Sequence, residues 1–204
     1  MSIKADWKNN ELLEEVKANR TADYPVHPLF LNRWSARSYL SKPVSDETLY
    51  TVLEAARWAP SSSNLQPWRF IVANTEEKLE QIRSFLFPNN RLWADQAPVL
   101  IVIASTRVKE NGDPQPIHSF DTGAAWAALS LQASLLGLST RAMGGFDKEA
   151  ARRELQVPDT FELHAVIALG YPGGKETLHE SFRDRELPNG RRPLSESIVG
   201  DTWS

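Results

Sequence analysis

Ala59-Pro60-Ser61-Ser62-Ser63-Asn64-Leu65-Gln66-Pro67-Trp68 is too polar for a core and too stiff for a simple chain reversal. Its two prolines fix φ at their own positions and hold the preceding residues extended. Between them stand three hydroxyls and two carboxamides. A loop that only turns the chain draws more on Gly, Asp or Asn at special φ/ψ. This one presents donors and acceptors in set directions, as a surface shaped for a polar, planar ligand would. A helix-stop loop with Asn64 in a local turn explains the composition equally well.

Upstream, Ser45 or Asp46 caps a helix whose apolar residues Leu49, Val52, Leu53, Ala56 and Trp58 recur at near-helical spacing up to Pro60. Downstream, residues 69–73 read as a short strand. Asn74 or Thr75 then caps a helix through Leu79, Ile82 and Leu86. Residues 87–93 read as a second polar loop, and residues 98–104 as a strand buried on both faces. A Pro- and Gly-containing loop at 109–116 is expected to be mobile and near a site entrance. An apolar helix is expected from Asp121 to about Leu136, stopped by Gly137. A strand at Ser139–Met143 runs into Gly144-Gly145-Phe146-Asp147, where exposed backbone N–H groups let something flat come close. A helix at 148–155 and a strand at 161–169 complete the pattern. A further helix is expected at 9–20, with Leu12, Leu13 and Val16 as a narrow apolar stripe. The tail, with Arg183, Arg185, Arg191 and Arg192, reads as an extended arm.

The whole chain sets limits. Its 204 residues suit one domain with arms. A net charge of -3 gives no electrostatic case for nucleic acid or an anionic membrane. The absence of Cys removes disulfides, thiol nucleophiles and thiolate metal sites, and fits a reducing cytoplasm. The first twenty residues are charged, without a signal-type apolar segment, and no apolar run approaches the ~20 residues of a spanning helix. Four scattered His make no metal pattern, no G-x-G-x-x-G follows a strand, and Ser61, Ser62 and Ser63 lack a nucleophile-elbow setting. No metal site and no catalytic side chain is therefore assigned.

Arg33-Trp34-Ser35-Ala36-Arg37 places two arginines four apart, with a hydroxyl between them. On a helical turn they share a face and could bind an anion in bidentate fashion. Taken alone, a solvated helix face is the more economical reading. Arg191 and Arg192 add cations at the other end of the chain. Arginines at two ends suit a phosphate; the Ser-Asn-Gln loop and the Gly pair suit a flat heterocycle with hydrogen-bonding edges. A phosphorylated flavin meets both demands, and other nucleotides would too.

These segments resemble the nitroreductase family of FMN-dependent oxidoreductases over roughly residues 31–193. Arg33-Trp34-Ser35-Ala36-Arg37 is similar to its R-x-S-x-R/K opening. Pro60-Ser61-Ser62-Ser63-Asn64-Leu65-Gln66-Pro67-Trp68 matches P-S-x-x-N-x-Q-P-W. Asn89/Asn90 with Trp93 and Ala97-Pro98, Asp121-Thr122-Gly123-Ala124-Ala125, Met143-Gly144-Gly145-Phe146-Asp147 and Arg191-Arg192-Pro193-Leu194 resemble further family segments in order. The resemblance implies an α+β fold: an α/β/α sandwich with a central, mostly antiparallel sheet, domain-swapped arms and a homodimer carrying FMN at its interface. It implies an N-terminal helix and connector over residues 1–30 and an FMN-binding domain with a C-terminal arm over 31–204.

The implied cofactor-binding residues are Arg33, Trp34, Ser35, Arg37, Pro60, Ser61, Ser62, Asn64, Asn89, Gly144, Gly145 and Arg191. Arg33, Ser35 and Arg191 would hold the phosphate, Arg37 the flavin N1/O2 edge, and Asn89 would lie near the pyrimidine ring. Gly144 and Gly145 would line the ring, and Pro60, Ser61, Ser62 and Asn64 would come from the other subunit. The implied activity is ping-pong hydride transfer from NADH or NADPH to a nitroaromatic, quinone or similar small acceptor. An FMN-dependent dehydrogenase or dehalogenase of one metabolite, or an FMN-binding protein with little turnover, are the alternatives. Thr140-Arg141-Ala142-Met143 replaces the His-Gln found before the glycine turn in that branch, and Asn189 stands where many members carry Lys.

Overall fold

The computed structural model describes residues 11–200. In chain order these form helices α1 (Glu14–Lys17), α2 (Pro28–Asn32) and α3 (Asp46–Arg57), strand β1 (Trp68–Ala73), helices α4 (Glu76–Arg83) and α5 (Pro88–Ala94), and strand β2 (Val99–Thr106). Helix α6 (His118–Leu135), strand β3 (Ser139–Met143), helix α7 (Lys148–Glu154), strand β4 (Phe161–Gly170) and helix α8 (Glu180–Arg183) follow. The strands make one sheet in the order β1-β2-β4-β3, every pair antiparallel.

β2 shows why its sequence is a continuous apolar run. Leu100, Val102 and Ala104 face a layer containing Ile82 of α4, Trp93 of α5 and Phe182 of α8. Val99, Ile101 and Ile103 face Leu49 and Val52 of α3 and Leu129 and Ala133 of α6. Alternate residues of a strand point to opposite faces, so helices on both sides demand apolar residues at every position. The expected α/β/α sandwich with an antiparallel sheet is therefore present. A fully buried Leu or Ile in these layers contributes roughly 1.5–3 kcal/mol.

Several local expectations need correcting. Residues 87–93 are a helix rather than a loop, because Pro88 occupies the first helical turn, where its missing N–H costs nothing. α6 starts a turn earlier than Asp121. α4 ends at Arg83, and Leu86 instead bridges to Phe146. The N-terminal helix shrinks to α1, where Val16 is buried and Leu13 exposed; residues 9 and 10 lie outside the described part. The tail is not an arm throughout, since Leu178, Phe182 and Glu186 are buried against the body. The loop at 109–116 is closed on itself by Lys109 N–H donating to the Asp113 carbonyl, and Val108 bridges to Pro114. Capping at Ser45, whose hydroxyl accepts from Thr48 N at 3.2 Å, and the stop at Gly137, with φ of 72°, follow the sequence reading.

Candidate functional site

Residues 33–38 form neither helix nor strand, and Arg33 is extended. Their backbone is drawn into tertiary bonds instead of an i→i−4 ladder. Gly173 N–H donates to Ser38 O, Leu40 N–H donates to Tyr171 O, and the Glu186 carboxylate accepts from Arg37 N at 2.5 Å and Ser38 N at 3.0 Å. The helical grouping of Arg33 and Arg37 is therefore absent, and their side chains meet different neighbours. Trp34 donates its indole N–H to Glu15 at 3.2 Å.

The two arginines of this segment have opposite surroundings. Arg37 donates to Glu186 at 3.3 Å and lies over the Phe182 ring. Arg33 has no carboxylate within ion-pair range among the described residues. Burial first, then the Arg191 charge, pulls its guanidinium below the ordinary arginine pKa. Arg20 is lowered in the same way by burial, Arg191 and Arg33. Arg191 donates to the Gly190 carbonyl at 2.9 Å and, among the described residues, to no acid. Arg20 and Arg191 line a cavity of about 410 Å³ together with Tyr24, Phe30 and Arg192. Asp23 also lines the cavity and Arg192 pairs with Glu196 at 3.9 Å, but no carboxylate lies within ion-pair range of Arg20, Arg33 or Arg191 among the described residues, and cations so placed favour an anion nearby.

The glycine turn is clamped by α5. Asn90 Nδ2 donates to Gly145 O at 2.8 Å, and Phe87 N–H donates to the same carbonyl at 3.2 Å. A Cβ on Gly145 would lie 2.6 Å from Asn90 Nδ2, whereas one on Gly144 would meet nothing within 4 Å. Gly145 is thus fixed by its own scaffold, and Gly144 leaves open space. Asn89, the residue singled out by sequence, is exposed, and its neighbour Asn90 makes the contact. Arg141 donates to Ser35 O at 2.5 Å and sits over the Trp93 ring, so it ties β3 to the arginine segment. Burial and Arg37 lower its pKa.

The loop at 60–68 carries unusual backbone. Ser63, Asn64 and Gln66 have φ of 49°, 56° and 46°. Such left-handed residues are strained and persist where their surroundings hold them. Here Ser61 Oγ accepts from Gln66 N at 3.0 Å, and Gln66 Nε2 donates to Asn64 Oδ1 at 3.1 Å. Asp121, buried in the first turn of α6, accepts from Ser62 N at 3.1 Å. Ser62, Ser63 and Asn64 remain exposed. Among the described residues the loop makes no hydrogen bond to Arg33, Ser35 or Arg37.

The histidines are less scattered than the sequence suggests. His118 Nδ1 and His164 Nε2 both contact the buried Ser105 hydroxyl, at 2.7 and 2.6 Å. A register shift between Ile103 and Ala104 marks a bulge beside His164, the kind of feature that re-aims a side chain. Among the described residues no group of three or more His, Cys, Asp or Glu could hold a metal.

A family model described as the nitroreductase family matches residues 31–91 and 88–171. The chain belongs to the nitroreductase family. A Streptomyces coelicolor protein given the name NADH dehydrogenase/NAD(P)H nitroreductase is 30% identical, over 72% of this chain and 82% of its own. An NADH dehydrogenase of Thermus thermophilus is 28% identical, over 78% of this chain and 89% of its own. Among solved nitroreductase-fold structures, an oxidoreductase containing FMN superimposes with a TM-score of 0.87 at 39% identity, covering 91% of this chain and 96% of its own. A nitroreductase from Desulfovibrio desulfuricans in complex with FMN has a TM-score of 0.70 at 25% identity, covering 90% of this chain and all of its own. Sequence reading missed Arg20 and Glu186; it named Asn90, as the second half of an Asn pair, and Asp121, as the start of the apolar helix, without giving either a role.

Proposed function

We propose that this nitroreductase-family chain is an FMN-dependent NAD(P)H oxidoreductase, acting as a homodimer on nitroaromatic, quinone or similar small acceptors. The observation that carries the reading is the nearness of the Arg33 and Arg191 segments, from opposite ends of the chain, which Arg20 joins through Arg33 O and Asn189 O, with no carboxylate in ion-pair range of Arg33 or Arg191 among the described residues. Guanidiniums so placed fit a phosphomonoester, which offers both charge and bidentate acceptors. The open space over Gly144 fits the approach of a flat ring. When bound, FMN supplies the hydride chemistry, taking two electrons from NAD(P)H and passing them to the acceptor in a ping-pong cycle.

The chain's own residues have supporting parts. Arg33, Ser35 and Arg191 would hold the phosphate. Arg37, kept in place by Glu186, would stand at the ring's polar edge, where a fixed cation favours the added negative charge. Gly144 and Gly145 would present backbone, and Asn89 and Trp34 would flank the cofactor. Pro60, Ser61, Ser62 and Asn64 would reach the partner's site. The strained loop exposes its polar groups beside apolar surface at Trp58, Leu65, Ile117 and Phe120, as a loop that meets a second subunit would.

The test is the visible spectrum of the purified protein, followed by anaerobic NADPH or NADH. Flavin bands that bleach support the reading. A protein that neither carries FMN nor takes it up contradicts it, and bound FMN that no NAD(P)H bleaches removes the reductase activity.

A further inference from the structure

Arg20 lies outside the segments that resemble the family, yet it bonds three carbonyls in the two stretches that carry Arg33 and Arg191. Its Nη1 donates to Leu31 O at 2.5 Å and to Arg33 O at 2.9 Å. Its Nε donates to Asn189 O at 2.8 Å. The first two carbonyls flank the start of the arginine segment; the third precedes Arg191 by two residues. One planar guanidinium therefore bonds backbone 11 and 13 residues downstream and, at once, 169 residues downstream. A neighbouring bond reinforces the same seam: Asp23 Oδ2 accepts from Leu194 N at 2.7 Å.

We propose that Arg20 is a positioning residue for the anion site, its three-carbonyl fork bringing Arg33 and Arg191 together over a phosphomonoester. The inference rests on the phosphate reading above. Arg20 spends its Nε and Nη1 donors on carbonyls, which carry no net charge, so its own positive charge stays uncompensated and adds to the field of the other two. No ion pair forms at Arg20 among the described residues, in contrast to Arg83, whose guanidinium meets Glu76 and Glu80 at 2.7 and 2.8 Å. A guanidinium that served only to join two segments would gain by a carboxylate partner, because charge-assisted pairs are stronger than bonds to neutral carbonyls. A lysine cannot reproduce the fork, since its ammonium is a point charge on a flexible stem.

The test compares FMN with riboflavin, which lacks the phosphate, by titration of the full-length protein and its R20M and R20K variants. Loss of aligned phosphate contacts weakens FMN by about tenfold or more in both variants, a factor of ten being ~1.4 kcal/mol, while riboflavin affinity is unchanged. Equal losses for FMN and riboflavin make Arg20 a general scaffold residue and overturn the proposal. So does wild-type FMN affinity in R20M, or full rescue by R20K, which would leave charge alone as the cause. If R20M fails to fold, R20K decides. If the wild type takes neither flavin, the FMN reading fails by itself, and inorganic phosphate separates the two. Phosphate that raises the Tm of the wild type but not of R20K supports an Arg20-dependent anion site; equal shifts, or none in either, overturn it.

Discussion

Two arginine clusters in this molecule are built from the same side chain and do opposite things. Arg83 is buried at the end of α4, where burial works against its charge, but the hydrogen bonds it donates to Glu80 and Glu76 outweigh that and raise its pKa. Its Nη2 donates to Asp95 O at 2.9 Å. Arg33, with Arg20 and Arg191 around it, has burial and like charge acting together, and its pKa falls. The first cluster closes its electrostatics within the chain and fastens α4 to the end of α5. The second leaves them open and asks for an anion from outside. What separates the two clusters is the presence of carboxylates, not the degree of burial.

The comparison breaks most directly at the open cluster. Replacing both Arg33 and Arg191 by Ala removes two charge-assisted contacts of roughly 1.5–3 kcal/mol each. FMN affinity should then fall about 10²- to 10⁴-fold, with the melting temperature held or raised, because like charges have been taken apart. A variant that retains stoichiometric flavin on purification would refute the assignment. At the closed cluster the prediction inverts. Arg83→Met should cost about 1–3 kcal/mol of stability in urea denaturation and leave FMN affinity unchanged; a flavin defect there would blur the distinction.

A smaller effect is expected at the glycine turn. Gly144→Ala meets open space, so stability stays within about 0.5 kcal/mol, and only ligand affinity drops. Gly145→Ala forces Asn90 aside and should destabilise by about 1–3 kcal/mol. Unfolding curves for the pair show whether the two glycines divide in this way; identical curves would not fit. The smallest effect lies away from both clusters. Burial foremost, together with the His118 charge, holds His164 below its ordinary pKa of 6.5. The unfolded chain then binds more protons than the fold just below pH 6.5, so stability falls as pH drops through that value toward the lower folded pKa. His164→Gln should flatten this acid slope between about pH 7 and the folded pKa, as read from urea midpoints; an unchanged slope would remove His164 as its source.

Much of this was legible in the sequence. The doubly apolar run of β2, the Ser45 cap and the Gly137 stop each follow from a local rule, because the forces that set them act within a few residues. The Pro60–Trp68 stretch was legible as a loop outside the core because its composition is too polar for one. Its left-handed Ser63, Asn64 and Gln66 were not, since they are imposed by bonds to Ser61 and by the grip of Asp121 on Ser62. The helical reading of Arg33–Arg37 failed because Glu186 and residues 171–173 capture its backbone from far along the chain. Arg20 left no trace at all. It acts on carbonyls, which every residue carries, so no pattern of side chains announces it.

The central claim is that a phosphate group answers the open arginine cluster. Titrating the wild-type protein with FMN and with riboflavin, at low and at high salt, tests it most directly. The account predicts FMN at least about 100-fold tighter, a margin of ~2.7 kcal/mol that shrinks as salt screens the arginines. Equal affinities for the two flavins, unmoved by salt, would contradict it.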